Sequence, residues 1–165
     1  MSAGLVRTAG AAEAAAPAQK VLPIPGEVFL VRERPAFLIL PEGAAGTNAI
    51  LWVWYAPTLP NLPGREEAWL LRRFREAGVA VAGIDVGESY GSPDGRALFT
   101  AFHEEMVSKR GLAPKPCLWA RSRGGLMHYN WAVENPESVA GIAGVYPRAI
   151  WRAIRGWTAP AGRTA

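Results

Sequence analysis

Apolar residues along this chain fall into short, nearly unbroken runs. Between the runs lie longer stretches in which apolar positions recur every three or four residues. The first pattern suits strands covered on both faces, and the second suits amphipathic helices. Residues 27–32 and 36–40 are two short β-type runs joined by the polar Glu33-Arg34-Pro35, the outline of an antiparallel hairpin. A glycine-rich turn over 41–47 follows. Residues 48–55 (NAILWVWY) predict a buried strand, and the proline-rich 57–64 predict a loop. Residues 65–77 carry apolar side chains at 69, 70 and 74 among charges, which predicts a helix with Gly78 as its left-handed cap. The alternation then repeats. A strand is expected over 79–85, a loop over 86–93, and a helix over 95–110 stopped by Gly111. A strand over 116–121, a helix over 124–134 and another buried strand over 139–146 complete the series. This order implies an α/β fold, a three-layer sandwich with a mainly parallel sheet and right-handed crossovers. Ligands of such sheets bind beyond the carboxyl ends of the strands, which directs attention to 56–58, 85–92 and 121–125.

Composition narrows the function classes. Half the residues are hydrophobic and 19% are charged, an ordinary globular balance. The net charge of +4 is not a nucleic-acid footprint. Arg148, Arg152, Arg155 and Arg163 carry the excess, and the rest of the chain balances to zero. Three regions are therefore expected: a flexible leader over 1–22, a folded domain over 23–147, and a basic tail over 148–165 of abruptly different character. No apolar run is long enough to span a membrane. The leader lacks a strong apolar core, which favours a soluble, cytoplasmic protein over a secreted one. Cys117 is the single cysteine, so no internal disulfide or zinc cluster is expected, and its apolar setting reads as a buried thiol. No metal and no cofactor are implied. The glycine-rich turns lack both dinucleotide-binding spacing and a phosphate-loop lysine.

The chemistry concentrates where the strand 116–121 runs into Ala120-Arg121-Ser122-Arg123-Gly124-Gly125 and then a helix. This matches the nucleophile elbow G-x-S-x-G, with alanine for the first glycine. A serine on such a sharp turn has its hydroxyl lifted above the sheet. Small residues two before and two after it let strand and helix pass closely. The helix N-terminus adds positive potential near the hydroxyl. The bland alternative is an ordinary glycine-rich turn that happens to hold a serine.

From about Val28 to Pro147 the chain resembles the α/β-hydrolase superfamily, the esterase, lipase and prolyl-oligopeptidase group. The elbow and its following helix, GGLMHYNWAVENPESVAGIAGVYP, carry the resemblance. It covers the first six strands of that fold, so the chain is expected to be a truncated α/β-hydrolase. The resemblance implies Ser122 as nucleophile and a small-molecule acyl substrate. It implies an oxyanion hole from the N–H groups of Arg123 and Ala56, with Thr58 as second candidate because Pro57 has no N–H. Tyr55, Glu88, Ser89 and Tyr90 lie in the loops expected to line the pocket. Their bland roles are strand termination and turn chemistry.

A serine nucleophile needs a base and an acid, which in this family follow later in the chain. After Ser122 the sequence offers no aspartate, and only Glu134, Glu137 and His128. His128 and His103 are expected on helices in surface or packing roles. The expectation is a truncated and inactive serine hydrolase fragment, with a shift of reading frame near Tyr146-Pro147 as one origin of the tail. A prolyl-oligopeptidase-like peptidase fragment and a non-catalytic α/β ligand-binding module are the alternatives. A sheet cut at that point would have an unpartnered edge, and marginal stability or aggregation is expected.

Overall fold

The computed structural model of the chain describes residues 20–44 and 49–147. The basic tail and most of the expected leader lie outside these residues. Of the leader, Lys20 is buried, and its ammonium donates to the carbonyls of Leu59 and Leu62.

Six strands form one sheet in the order β1-β2-β4-β3-β5-β6. They are β1 (Glu27–Val31), β2 (Arg34–Ile39), β3 (Trp52–Ala56), β4 (Ala80–Ile84), β5 (Cys117–Arg121) and β6 (Gly141–Val145). The pairs β1–β2 and β2–β4 are antiparallel, and the remaining pairs are parallel. Helix α1 (Ala68–Glu76) connects β3 to β4, α2 (Pro93–Arg110) connects β4 to β5, and α3 (Gly124–Glu134) connects β5 to β6. Helix α1 covers one face, and α2 and α3 cover the other. The expected three-layer α/β sandwich is what the chain forms.

Alternation along β3 shows why its run is apolar throughout. Trp52, Trp54 and Ala56 pack under α2 and α3 with Phe99, Phe102, Met127 and Trp131. Val53 and Tyr55 point the other way, onto Ala68 and Leu71 of α1. A strand with helices on both sides has no solvent face to keep polar. Trp54 sits at the centre, with ring centroids of Phe99, Phe102 and Trp131 all within 5.2 Å of its own.

The structure corrects several element expectations. The hairpin turn is Arg32-Glu33, not 33–35. Both residues adopt left-handed backbone, φ 45° and 63°, and Val31 pairs with Arg34. Such a two-residue turn matches the twist of its strands. Helix α1 starts at Ala68 rather than at 65, because residues 65–67 form tighter turns in which the Glu67 and Ala68 N–H groups donate to the carbonyls of Gly64 and Arg65. Helix α2 starts earlier than expected, at Pro93. Ser92 caps it by accepting from the Gly95 N–H, and proline suits the first turn. Gly78 and Gly111 adopt the left-handed conformation expected of them. The expectation of a buried last strand fails. β6 is the outermost strand, and Ile142 and Val145 are 45% and 39% exposed, because no described residue covers its outer side.

Candidate active site

β5 is central, paired to β3 on one side and β6 on the other, and its last residue is Arg121. The chain must then reverse within two residues to begin α3 at Gly124. It does so by forcing Ser122 to φ 50°, a left-handed conformation that a side chain disfavours. The turn is held by three hydrogen bonds. The Ser122 N–H donates to the Val145 carbonyl of β6 at 3.0 Å, and the Gly125 N–H donates to the Ser122 carbonyl at 3.1 Å. The Leu126 N–H donates to the Arg123 carbonyl at 3.2 Å. The N–H of Arg123 has no partner among the described residues.

Gly124 is where the tight turn meets the sheet. A Cβ there would collide with the carbonyl of Ala56, at the end of β3. Only glycine lets α3 begin so close to a neighbouring strand. Ala120, on the other side of the serine, is buried opposite Ala56 in the ladder.

A cleft of about 520 Å³ opens beside this turn. One wall is Arg121, Ser122 and Arg123, and the other comes from the loop after β3, from Pro57 to Glu67. Across it runs an ion-pair network. Glu67, almost fully buried, accepts from Arg121 Nη1 through one carboxylate oxygen and from the Gly64 N–H through the other. Arg121 Nη2 donates to Glu66 at 2.9 Å. The Tyr55 hydroxyl lies behind this pair without a well-formed hydrogen bond, and burial raises its pKa far above the ordinary phenol value. The Glu66-Glu67 doublet looked in sequence like the solvated start of a helix. Its pairing with Arg121 joins residues 54 and 55 positions apart, which no local spacing reveals.

None of the other candidates is in the lining of this cleft, and each is placed differently. Ala56 ends β3 with its carbonyl against Gly124. Thr58 bridges to Asp85, and its hydroxyl donates to the Tyr55 carbonyl at 3.1 Å. The Tyr55 ring is buried against Trp119 and does not line the cleft. Glu88 reaches the turn from the loop after β4 and pairs with Arg123 at 3.2 Å. Ser89 packs beneath that loop against Gly95, and Tyr90 is exposed, with φ 48°.

Neither histidine faces the cleft. His128 is sealed under α3 between Trp54 and Phe99, and both of its ring nitrogens lack partners. Burial pushes its pKa down to about 3. His103 stacks near Trp54 and Trp131, with its Nε2 2.8 Å from the Pro114 carbonyl oxygen. Among the described residues no group of His, Cys, Asp and Glu could hold a metal ion, and no helix is long and apolar enough to cross a membrane.

No protein family and no curated protein matches the chain at the level of sequence. Solved structures do match its fold. Est1E of Butyrivibrio proteoclasticus is 14% identical, with a TM-score of 0.57 over 74% of this chain and 50% of its own. FphF, a fluorophosphonate-binding serine hydrolase of Staphylococcus aureus, is 15% identical, with a TM-score of 0.58 over 73% and 58%. Dipeptidyl peptidase 4 of Porphyromonas gingivalis is 17% identical, with a TM-score of 0.59 over 78% of this chain and 21% of its own. The chain thus spans about half the length of the esterase and serine hydrolase it resembles. In strand order, in the disposition of its helices and in these likenesses, the chain has the α/β-hydrolase fold, of which the described residues form a part.

Proposed function

We propose that this chain is the nucleophile-bearing portion of a serine hydrolase that cleaves carboxylic esters, with Ser122 as the nucleophile. The observation that carries the reading is the left-handed backbone of Ser122 at the β5–α3 turn, maintained although a serine disfavours it. Strain of this kind persists where the surrounding structure imposes it, and it clusters at functional sites.

In this reading Ser122 Oγ attacks the acyl carbon and its proton passes to a base. The resulting oxyanion accepts hydrogen bonds from the N–H of Arg123 and from the loop after β3. Ala56 and Thr58 are the backbone donors there, on either side of Pro57. The carbon–oxygen bond to the alcohol then breaks, the alcohol leaves with a proton, and water cleaves the acyl-serine. Neither histidine is placed to take the proton, so the reading assigns base and acid to sequence beyond these 165 residues. The 165 residues alone then lack efficient turnover. A preorganised oxyanion site still gives residual catalysis of roughly 10³–10⁴ over water when the triad is incomplete.

An added base tests this. Imidazole should accelerate acetylation of Ser122 by p-nitrophenyl acetate, read as a mass increase on the peptide containing Ser122. Ester cleavage should exceed that of Ser122→Ala by roughly tenfold, less than the roughly 10²–10⁴ of a positioned general base because imidazole arrives from solution. Equal rates for the two proteins, with no acylated Ser122, would remove the reading. Replacing the ester by an activated anilide asks whether the site acts on amides as well.

A further inference from the structure

We infer that the cleft beside Ser122 takes an acyl substrate bearing a carboxylate, and that Arg121 recognises that carboxylate. The inference rests on the reading of Ser122 as the nucleophile. Its basis is the way Arg121 is held. Nη1 is fixed by Glu67, which is itself fixed by burial and by the Gly64 N–H. The plane of the guanidinium is therefore set from behind. Nη2 is met by Glu66 alone, whose side chain is 81% exposed. An exposed ion pair of this kind contributes about 0–1 kcal/mol. A ligand carboxylate can take the place of Glu66 with little loss, and it gains a charge-assisted bond to an arm already oriented.

The rest of the lining agrees. Arg65 shares the cleft and forms no ion pair among the described residues. Pro57 and Leu62 are the bulky apolar members of the wall. Placing an arginine–glutamate pair in a cleft wall carries a desolvation cost that apolar residues would avoid. A polar ligand group that uses the pair accounts for its presence.

Binding of monomethyl glutarate, an anion, and of dimethyl glutarate, its neutral counterpart, separates the possibilities. Titrations of the 165-residue chain followed by NMR would read both affinities. The monoester should bind at least about tenfold more tightly at low salt, with the preference shrinking as salt rises. Glu66→Gln removes only the exposed competitor and should tighten monoester binding about threefold, with the diester unchanged. Arg121→Lys, which keeps the charge near Glu67 but loses the planar fork, should reduce the preference. Equal affinities for the two esters, no measurable binding by either, or an unchanged preference in Glu66→Gln would overturn the inference. Ser122→Ala should retain the preference. If Ser122 never acylates but the preference is present, the hydrolase reading fails alone. If Ser122 acylates but both esters bind alike, only the carboxylate assignment fails.

Discussion

A hydroxyl at the tip of a buried strand stands clear of the sheet only if the backbone turns away beneath it, and Ser122 and Gly124 divide that task. Ser122 takes the strained dihedral, and Gly124 gives up its side chain so that α3 can touch β3. Gly124→Ala should therefore destabilise the chain by about 2–3 kcal/mol, because the clash is with backbone, which cannot swing away. A urea midpoint near that of the parent would contradict this. His128 gives a second residue-scale expectation. Its pKa is about 3 when folded and near 6.5 when unfolded. Between these values the unfolded chain binds a proton that the folded chain refuses, so stability falls as pH drops from about 6.5 toward 3. The slope approaches about 1.4 kcal/mol per pH unit. His128→Leu should remove this component and, by deleting two unpartnered nitrogens, add about 1 kcal/mol at neutral pH. Parallel pH dependences of the urea midpoint in both proteins would refute the assignment. The sharp turn at Ser122 was legible in sequence because close backbone approach demands small residues at fixed spacing, Ala120 and Gly124. Arg121 and Glu67 were not, because long side chains from different elements meet without leaving any local pattern.

At the scale of elements, hydrophobic pattern was a sound guide wherever burial on two faces leaves little choice. β3, β4 and β5 appear where the apolar runs are. Errors arose where local bonding overrode the pattern. The periodicity of α1 extends back to residue 65, but the backbone over 65–67 closes tighter turns, Glu67 onto Gly64 and Ala68 onto Arg65, and the α-helix begins after them. Ser92 and Pro93 do the reverse for α2, starting it early. β6 shows the complementary failure. Its composition, Gly-Ile-Ala-Gly-Val, resembles that of the buried strands, yet it is exposed. Whether an apolar strand is covered depends on what lies beside it, and its own residues do not record that. The hairpin end of the sheet is treated differently. Arg110 of α2 lies over the Phe29 ring at 3.7 Å from its centroid and pairs with Glu27 at 2.6 Å. Charge thus guards β1, whereas β6 carries none.

Taken as a whole, the molecule is a six-stranded sheet whose two ends are unlike. One ends in a charged hairpin clamped to a helix, and the other, among the described residues, in an uncovered apolar strand. The 165-residue chain should associate through the second. Ala143→Lys, placed in the middle of β6, should suppress association measured by light scattering while changing the unfolding free energy from urea titration by less than about 0.5 kcal/mol. Unchanged association would show that the edge is not responsible. The unlike ends also limit how far such association can go. When two copies meet along β6, each hides the other's uncharged end, and the contact closes on itself. Growth stops at a pair, since a chain of copies needs a second receptive end on every member. Loss of Arg110 would remove the cation that lies over Phe29 and pairs with Glu27 at that other end. A cation that steadies a hairpin within one molecule would then also weigh against growth from that end, and so favour a discrete dimer over a fibre.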